Sequence, residues 1–143
     1  MKFKQLNSSR LRNVDIRKYL IDWDAKITRG KNFGKFQWEV KQLLRPHWES
    51  KIILEEFSVP AKTGERGRSI DIINMTDRIA LEISGSQHTQ QSDFFHRNKF
   101  HYFKQLRNDV WKENWAKLNG FEFVEIYQDD ELNDELLKNL GLI

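Results

Sequence analysis

Cysteine is absent from the 143 residues, so neither a disulfide framework nor a thiolate zinc site can form. That composition fits a reducing compartment. There are only two prolines, no low-complexity tract and no internal repeat, so nothing marks a linker between domains. No apolar run approaches the ~18 residues needed to span a bilayer. The N-terminal Met1-Lys2-Phe3-Lys4-Gln5-Leu6 is basic but lacks the apolar stretch of a secretory signal. The expectation is a cytoplasmic protein with no membrane partner. A single domain over residues 1–143 is long enough to close its own core.

What is present is an uneven distribution of charge. Through residue 120, 23 Lys and Arg stand against 14 Asp and Glu; from 121 onward one Lys stands against seven acids. The net charge of +3 therefore combines a strongly basic body with an acidic tail. A basic body suits a polyanionic partner, because each phosphate contact releases counterions. Trp23, Phe33, Phe36, Trp38 and Trp48 lie among those basic residues, although such rings more often fill cores than stack on bases.

Along the chain, residues 1–32 read as a basic arm followed by a short helix from Asn13 to about Asp24. Asn32 caps a second helix whose Phe33, Phe36, Val40, Leu43 and Leu44 follow helical spacing, and Pro46 is expected to end it. A strand over 52–57 and a Gly/Lys/Arg loop over 61–68 follow. After a hairpin and a polar stretch over 87–93, a long helix is expected from about Phe94 to Leu118, with Gly120 as its stop. A strand over 121–127 and an acidic helix over 130–143 close the chain. The order predicts an α/β (α+β) domain with a central mixed sheet of about four strands flanked by helices.

The hairpin Gly67–Gln87 carries the chemistry. A turn over Asn74–Asp77, with Asn74 facing Asp77, places Ile72 opposite Ile79 and Ile70 opposite Leu81. Four branched apolar residues then share one face and fix the register. The other face receives Asp71 opposite Ala80, with Glu82 diagonal to it. Two like charges on one sheet face cost free energy unless compensated. A hard divalent cation, Mg²⁺ or Mn²⁺, held by Asp71 and Glu82 with water, is a natural compensator. The competing account leaves one carboxylate in solvent at the hairpin edge.

An Asp in one strand and a Glu in the next, after a helix carrying Glu39, resemble the core of the PD-(D/E)XK, restriction-endonuclease-like nucleases. The pattern is most similar to the branch of very-short-patch-repair endonucleases and phage EDxHD homing endonucleases. The matching pieces are Glu39 in Trp38-Glu39-Val40, Asp71, Gly85-Ser86-Gln87-His88, Arg107-Asn108-Asp109 and Gly120-Phe121-Glu122-Phe123-Val124, within about residues 33–132. A D/E-x-K site would carry lysine at position 84, where this chain has Ser84; in the EDxHD branch a histidine serves instead. The resemblance implies a restriction-endonuclease-like fold, DNA as partner, and Glu39, Asp71, Glu82, His88 and Asp109 as catalytic residues. If the chain is phage-encoded, its compartment is the host cytoplasm.

In that reading Asp71 bridges the metal to the scissile phosphate, and Glu82 is a second ligand or holds a metal-bound water. His88 is the general base or stabilises the developing charge, work that its near-neutral pKa suits. Each has a plainer account: a surface acid for Asp71 and Glu82, a loop histidine for His88. For Glu39 it is a helix ion pair with Lys35 or Lys41, and for Asp109 one with Lys112 or Arg107. Arg29, Lys31, Lys35, Lys62, Arg66, Arg68, Arg97, Lys99 and Lys104 are placed to grip the DNA backbone. Two rivals stand beside this reading. One is a junction-resolving, structure-selective nuclease, which a homodimer with two sites favours. The other is a catalytically inactive nuclease fold that binds DNA, suggested by Ser84.

Overall fold

The structure, a computed structural model, describes residues 1–25, 32–62, 64–65, 67–84 and 99–143, with the side chains of 32–33 and 99–108 outside the description. The chain opens on a small antiparallel hairpin, β1 (Lys2–Lys4) with β2 (Leu11–Asn13). The central sheet holds β3 (Ile53–Val59), β4 (Arg68–Asn74), β5 (Ile79–Ser84) and β6 (Glu122–Tyr127) in that spatial order. β3, β4 and β5 are antiparallel neighbours, and β6 runs parallel to β5. A parallel return needs a crossover, and this one includes α2 (Lys99–Leu118). The result is the mixed α+β domain that the element order predicts. Among the described residues no helix is long and apolar enough to cross a membrane.

Both faces of the sheet are covered, which is why β4 reads as a nearly continuous apolar run around Asp71. On one face α1 (Asn32–Trp48) lays Phe36, Val40, Leu44 and Trp48 against Ile72, Leu81 and Ile126. Leu137 of α3 (Asp134–Asn139) and Leu142 close that side. On the other face Trp111, Trp115 and Ala116 of α2 meet Leu54, Phe57, Ile73 and Ala80. α2 ends where Gly120 takes φ +78° and Phe121 N donates to Ala116 O at 2.8 Å, the left-handed stop expected of that glycine.

Three expectations need correction. Over residues 1–25 the N-terminal segment is neither a free arm nor an α-helix. Phe3 is 2% exposed, with its ring centroid 5.3 Å from Phe57 and 5.6 Å from Trp115. Pairing of Asn13 with Lys2 leaves only a 3-10 turn over Ile16–Tyr19, capped by Asp15. Pro46 does not end α1, which runs on to Trp48. Pro46 lies inside the helix, where it forgoes one intrahelical bond and crowds the carbonyl four residues back, and the helix nonetheless continues for two more residues. Trp48 is fully buried and its indole donates to Leu142 O at 3.0 Å, which holds the last turn in place.

The third correction is the register of β4 and β5. The pairs are Asn74↔Ile79, Ile73↔Ala80 and Ile72↔Leu81, two residues away from the expected alignment. The cause is the turn. Asn74 Oδ1 accepts Asp77 N at 2.8 Å, an Asx-type contact that uses the side chain instead of a strand pair. Arg78 at φ +60° then completes a four-residue loop. A shift of two keeps each residue on its face, so Ile72, Ile79 and Leu81 do share one core cluster. Ile70 does not: it joins Phe57 on the α2 side. The backbone changes hand beside it, at Glu56 with φ +48°.

Candidate metal and phosphate site

The observed register brings together more acids than the sequence pattern suggests. Continuing the Ile72↔Leu81 pairing places Asp71 directly across from Glu82. Glu82 in turn pairs with Glu125 on β6. Glu56, between the pairs Glu55↔Ile72 and Phe57↔Ile70, falls across from Asp71. Glu56, Asp71, Glu82 and Glu125 thus form a row across all four strands.

The row is held by main chain. Asp71 N donates to Glu82 Oε1 at 3.2 Å, and Ile83 N donates to Asp71 Oδ2 at 2.8 Å. Gln37 Nε2 of α1 reaches Asp71 Oδ1 at 3.5 Å. From the opposite layer Lys112 of α2 donates to Glu82 Oε2 at 3.2 Å, with side chains only 16% and 12% exposed. Asp109 lies one helical turn before Lys112, on the same side of α2. Tyr127 donates its hydroxyl to Glu125.

Burial dominates the electrostatics. It raises the carboxyl of Glu82, and the charge of Asp71 raises it further against the opposing pull of Lys112. Burial also raises Asp71, offset in part by the Ile83 N–H and then by Lys112 and Lys41. Glu56 is raised by burial and then by Asp71. Asp109 is pushed up to about 6, first by burial and then by Glu125. Burial and the bond to Glu125 also raise the Tyr127 phenol. Glu82, pushed up to about 8, and Asp109 hold protons into the neutral range unless a cation relieves them.

Among the described residues no three His, Cys, Asp or Glu side chains converge on a ready metal cage. The all-oxygen pair of Asp71 and Glu82, buried and short of positive charge, fits a hard divalent cation that keeps several of its waters. Lys41, on the α1 side, is paired with Glu55 and nearly as buried as Lys112.

The expected site residues separate into three groups. Asp71, Glu82 and Asp109 come together. Glu39 does not join them: it lies about 200° around α1 from Gln37 and faces Lys35 at 4.0 Å. It lines an open groove with Phe36, Gln128 and Asp130 instead. His88, Arg29, Lys31, Arg66 and Arg97 lie outside the described residues, as do the side chains of Lys99 and Lys104. Of the remaining basic residues, Lys35 and Lys62 are exposed. Arg68 stacks on Trp111, 4.4 Å from the ring centroid, and approaches Glu65 at 3.5 Å.

Gln37, Glu56, Lys112 and Glu125 were not expected as members of the site. Two of them left a signal. Glu125 alternates with the buried Val124 and Ile126, and Lys112 follows Asp109 at helical spacing.

No family model matches the chain, and no solved structure matches it significantly. A stretch of 80 residues is 36% identical to the uncharacterized protein 033L of Invertebrate iridescent virus 3, covering 52% of this chain and 41% of the viral one. The chain thus spans about two-fifths of the length of the curated relative it matches.

Proposed function

We propose that the chain is a metal-dependent endonuclease that hydrolyses phosphodiester bonds in DNA, related to the EDxHD branch of the restriction-endonuclease-like enzymes. The observation that carries this reading is the pair Asp71–Glu82. Two buried carboxyls on adjacent strands are oriented by backbone N–H groups, Glu82 by that of Asp71 and Asp71 by that of Ile83, and the ammonium of Lys112 stands beside Glu82.

Asp71 and Glu82 would hold Mg²⁺ or Mn²⁺ through their oxygens. The bound cation would polarise a phosphoryl oxygen and make a coordinated water more acidic. Lys112 offers a positive charge next to Glu82, in the role left open by Ser84. Asp109, pushed up to about 6, can carry or release a proton near neutrality. Gln37 orients Asp71 from α1. His88 follows β5 by four residues in sequence, and the family resemblance makes it the proton-handling group. Exposed Lys35 and Lys62 would meet the DNA backbone.

The test is conversion of supercoiled plasmid to nicked or linear forms with Mg²⁺ or Mn²⁺, with Asp71→Asn as control. Metal-dependent cleavage lost in the variant supports the reading. DNA binding without cleavage under any divalent cation would favour the rival, an inactive nuclease fold used to bind DNA, for which Ser84 speaks.

A further inference from the structure

Lys112 is set deeper in the acidic row than any role as a surface charge requires. α2 lowers its ammonium to 3.2 Å from Glu82 Oε2 with both side chains largely covered. Its charge acts on carboxyls from four elements: Glu56 of β3, Asp71 of β4, Glu82 of β5 and Asp109 of α2. Lys41 reaches two of these, Glu56 and Asp71, while bonded to Glu55 on the other layer. An ammonium is a compact point charge with three donors on a flexible stem. It can therefore occupy a carboxylate oxygen and leave it without moving the backbone.

Resting on the reading of Asp71 and Glu82 as metal ligands, we propose that Lys112 is a resident competitor for that site. In the metal-free chain its ammonium holds Glu82 Oε2. A divalent cation enters by displacing it, and the freed ammonium faces the anionic phosphodiester that follows. The arrangement keeps the buried acids partly neutralised while no metal is bound and makes the positive charge available once it is.

Mn²⁺ affinity in the absence of DNA, measured from the free-ion electron paramagnetic resonance signal, tests the competition directly. Lys112→Met and Lys112→Gln should bind Mn²⁺ at least about tenfold more tightly than the parent, because a like charge has left the site. Lys112→Gln keeps an amide within reach of Glu82 and carries the test if the methionine variant does not fold. Lys117→Met, on the exposed side of the same helix with Glu113 as partner, should match the parent. In the parent chain, acetylation of Lys112 followed by mass spectrometry should accelerate when Mn²⁺ is added. If the parent binds Mn²⁺ and both Lys112 variants bind it no more tightly, or acetylation is indifferent to Mn²⁺, the competitor role is overturned while the metal reading stands. If neither parent nor variants bind Mn²⁺, both are overturned.

Discussion

Asp71 and Glu82 are joined through main chain as well as through charge: the Asp71 N–H points to Glu82 Oε1, while Asp71 Oδ2 takes the Ile83 N–H. The two side chains stand where ladder bonds between β4 and β5 would otherwise continue past Ile72↔Leu81. A carboxyl fixed in this way keeps its orientation without a metal, so its charge can be altered separately from its role as an acceptor.

Asp71→Asn makes that separation. The amide oxygen still accepts the Ile83 N–H, but the negative charge and its repulsion with Glu82 are removed. Cleavage should fall to background, while the thermal midpoint at neutral pH should equal or exceed that of the parent, since a buried like-charge contact is relieved. Plasmid cleavage and thermal melts on the same preparation check both halves. A folded variant with parental activity would remove Asp71 from the chemistry.

The raised carboxyls set the pH response of the metal-free chain. A carboxyl whose folded-state pKa is raised stabilises the fold below its unfolded value, and that contribution is lost as pH rises through the folded one. For Asp109 the window runs from the ordinary carboxylate range of about 4 to about 6, and Glu82, shifted the same way, extends it upward. Asp109→Asn should therefore flatten the decline in melting temperature between pH 4 and 7. Saturating Mg²⁺ should raise the midpoint more at pH 8 than at pH 5, because the ligands must be ionised to bind it. An equal metal effect at both pH values would place any bound cation away from these groups.

Much of the sheet is legible from the sequence because its signals are local. Alternation around Glu125, the apolar run around Asp71 and the stop at Gly120 each depend on a few neighbouring residues. Asp71 and Glu82 are legible as a converging pair despite the wrong register, since a two-residue shift preserves faces. The shift itself was hidden in a side-chain contact, Asn74 to Asp77, which competes with strand pairing. What spacing could not show is long-range. Phe3 is buried between Phe57 and Trp115, and Trp48 is bonded across 94 positions to Leu142. Lys112 belongs to the site only because α2 packs back over β5. Glu39 shows the reverse: its helix is correctly placed, but its azimuth turns it towards Lys35 and away from Asp71.

The contact between Trp48 and Leu142 predicts a stability difference that propensity alone would not. Trp48→Ala empties a fully buried site and should cost about 3–5 kcal/mol. Trp48→Phe keeps most of the packing but leaves Leu142 O without its donor, and should cost about 1–3 kcal/mol. Urea unfolding of the three chains checks the order. A phenylalanine variant as stable as the parent would show that the indole bond contributes nothing net.

The last expectation concerns His88, which the family resemblance makes the proton-handling group and which lies outside the described residues. Position 84, at the end of β5 and paired with Tyr127, holds serine where a D/E-x-K site would hold lysine. In the proposed reading Lys112 of α2, 3.2 Å from Glu82 Oε2, would supply that positive charge. A lysine charge beside Glu82 can stabilise an anion but does not supply the proton acceptor that general-base catalysis needs. The imidazole of His88 suits that task. His88→Ala should therefore slow cleavage by about 10²–10⁴-fold with DNA affinity little changed, a loss in rate separate from binding. Ser84→Lys should not restore it, because it adds a second ammonium and no base to replace the imidazole. If His88→Ala cleaves at the parental rate, proton transfer belongs to Asp109 or to solvent, and Lys112→Met then becomes the substitution that should abolish cleavage.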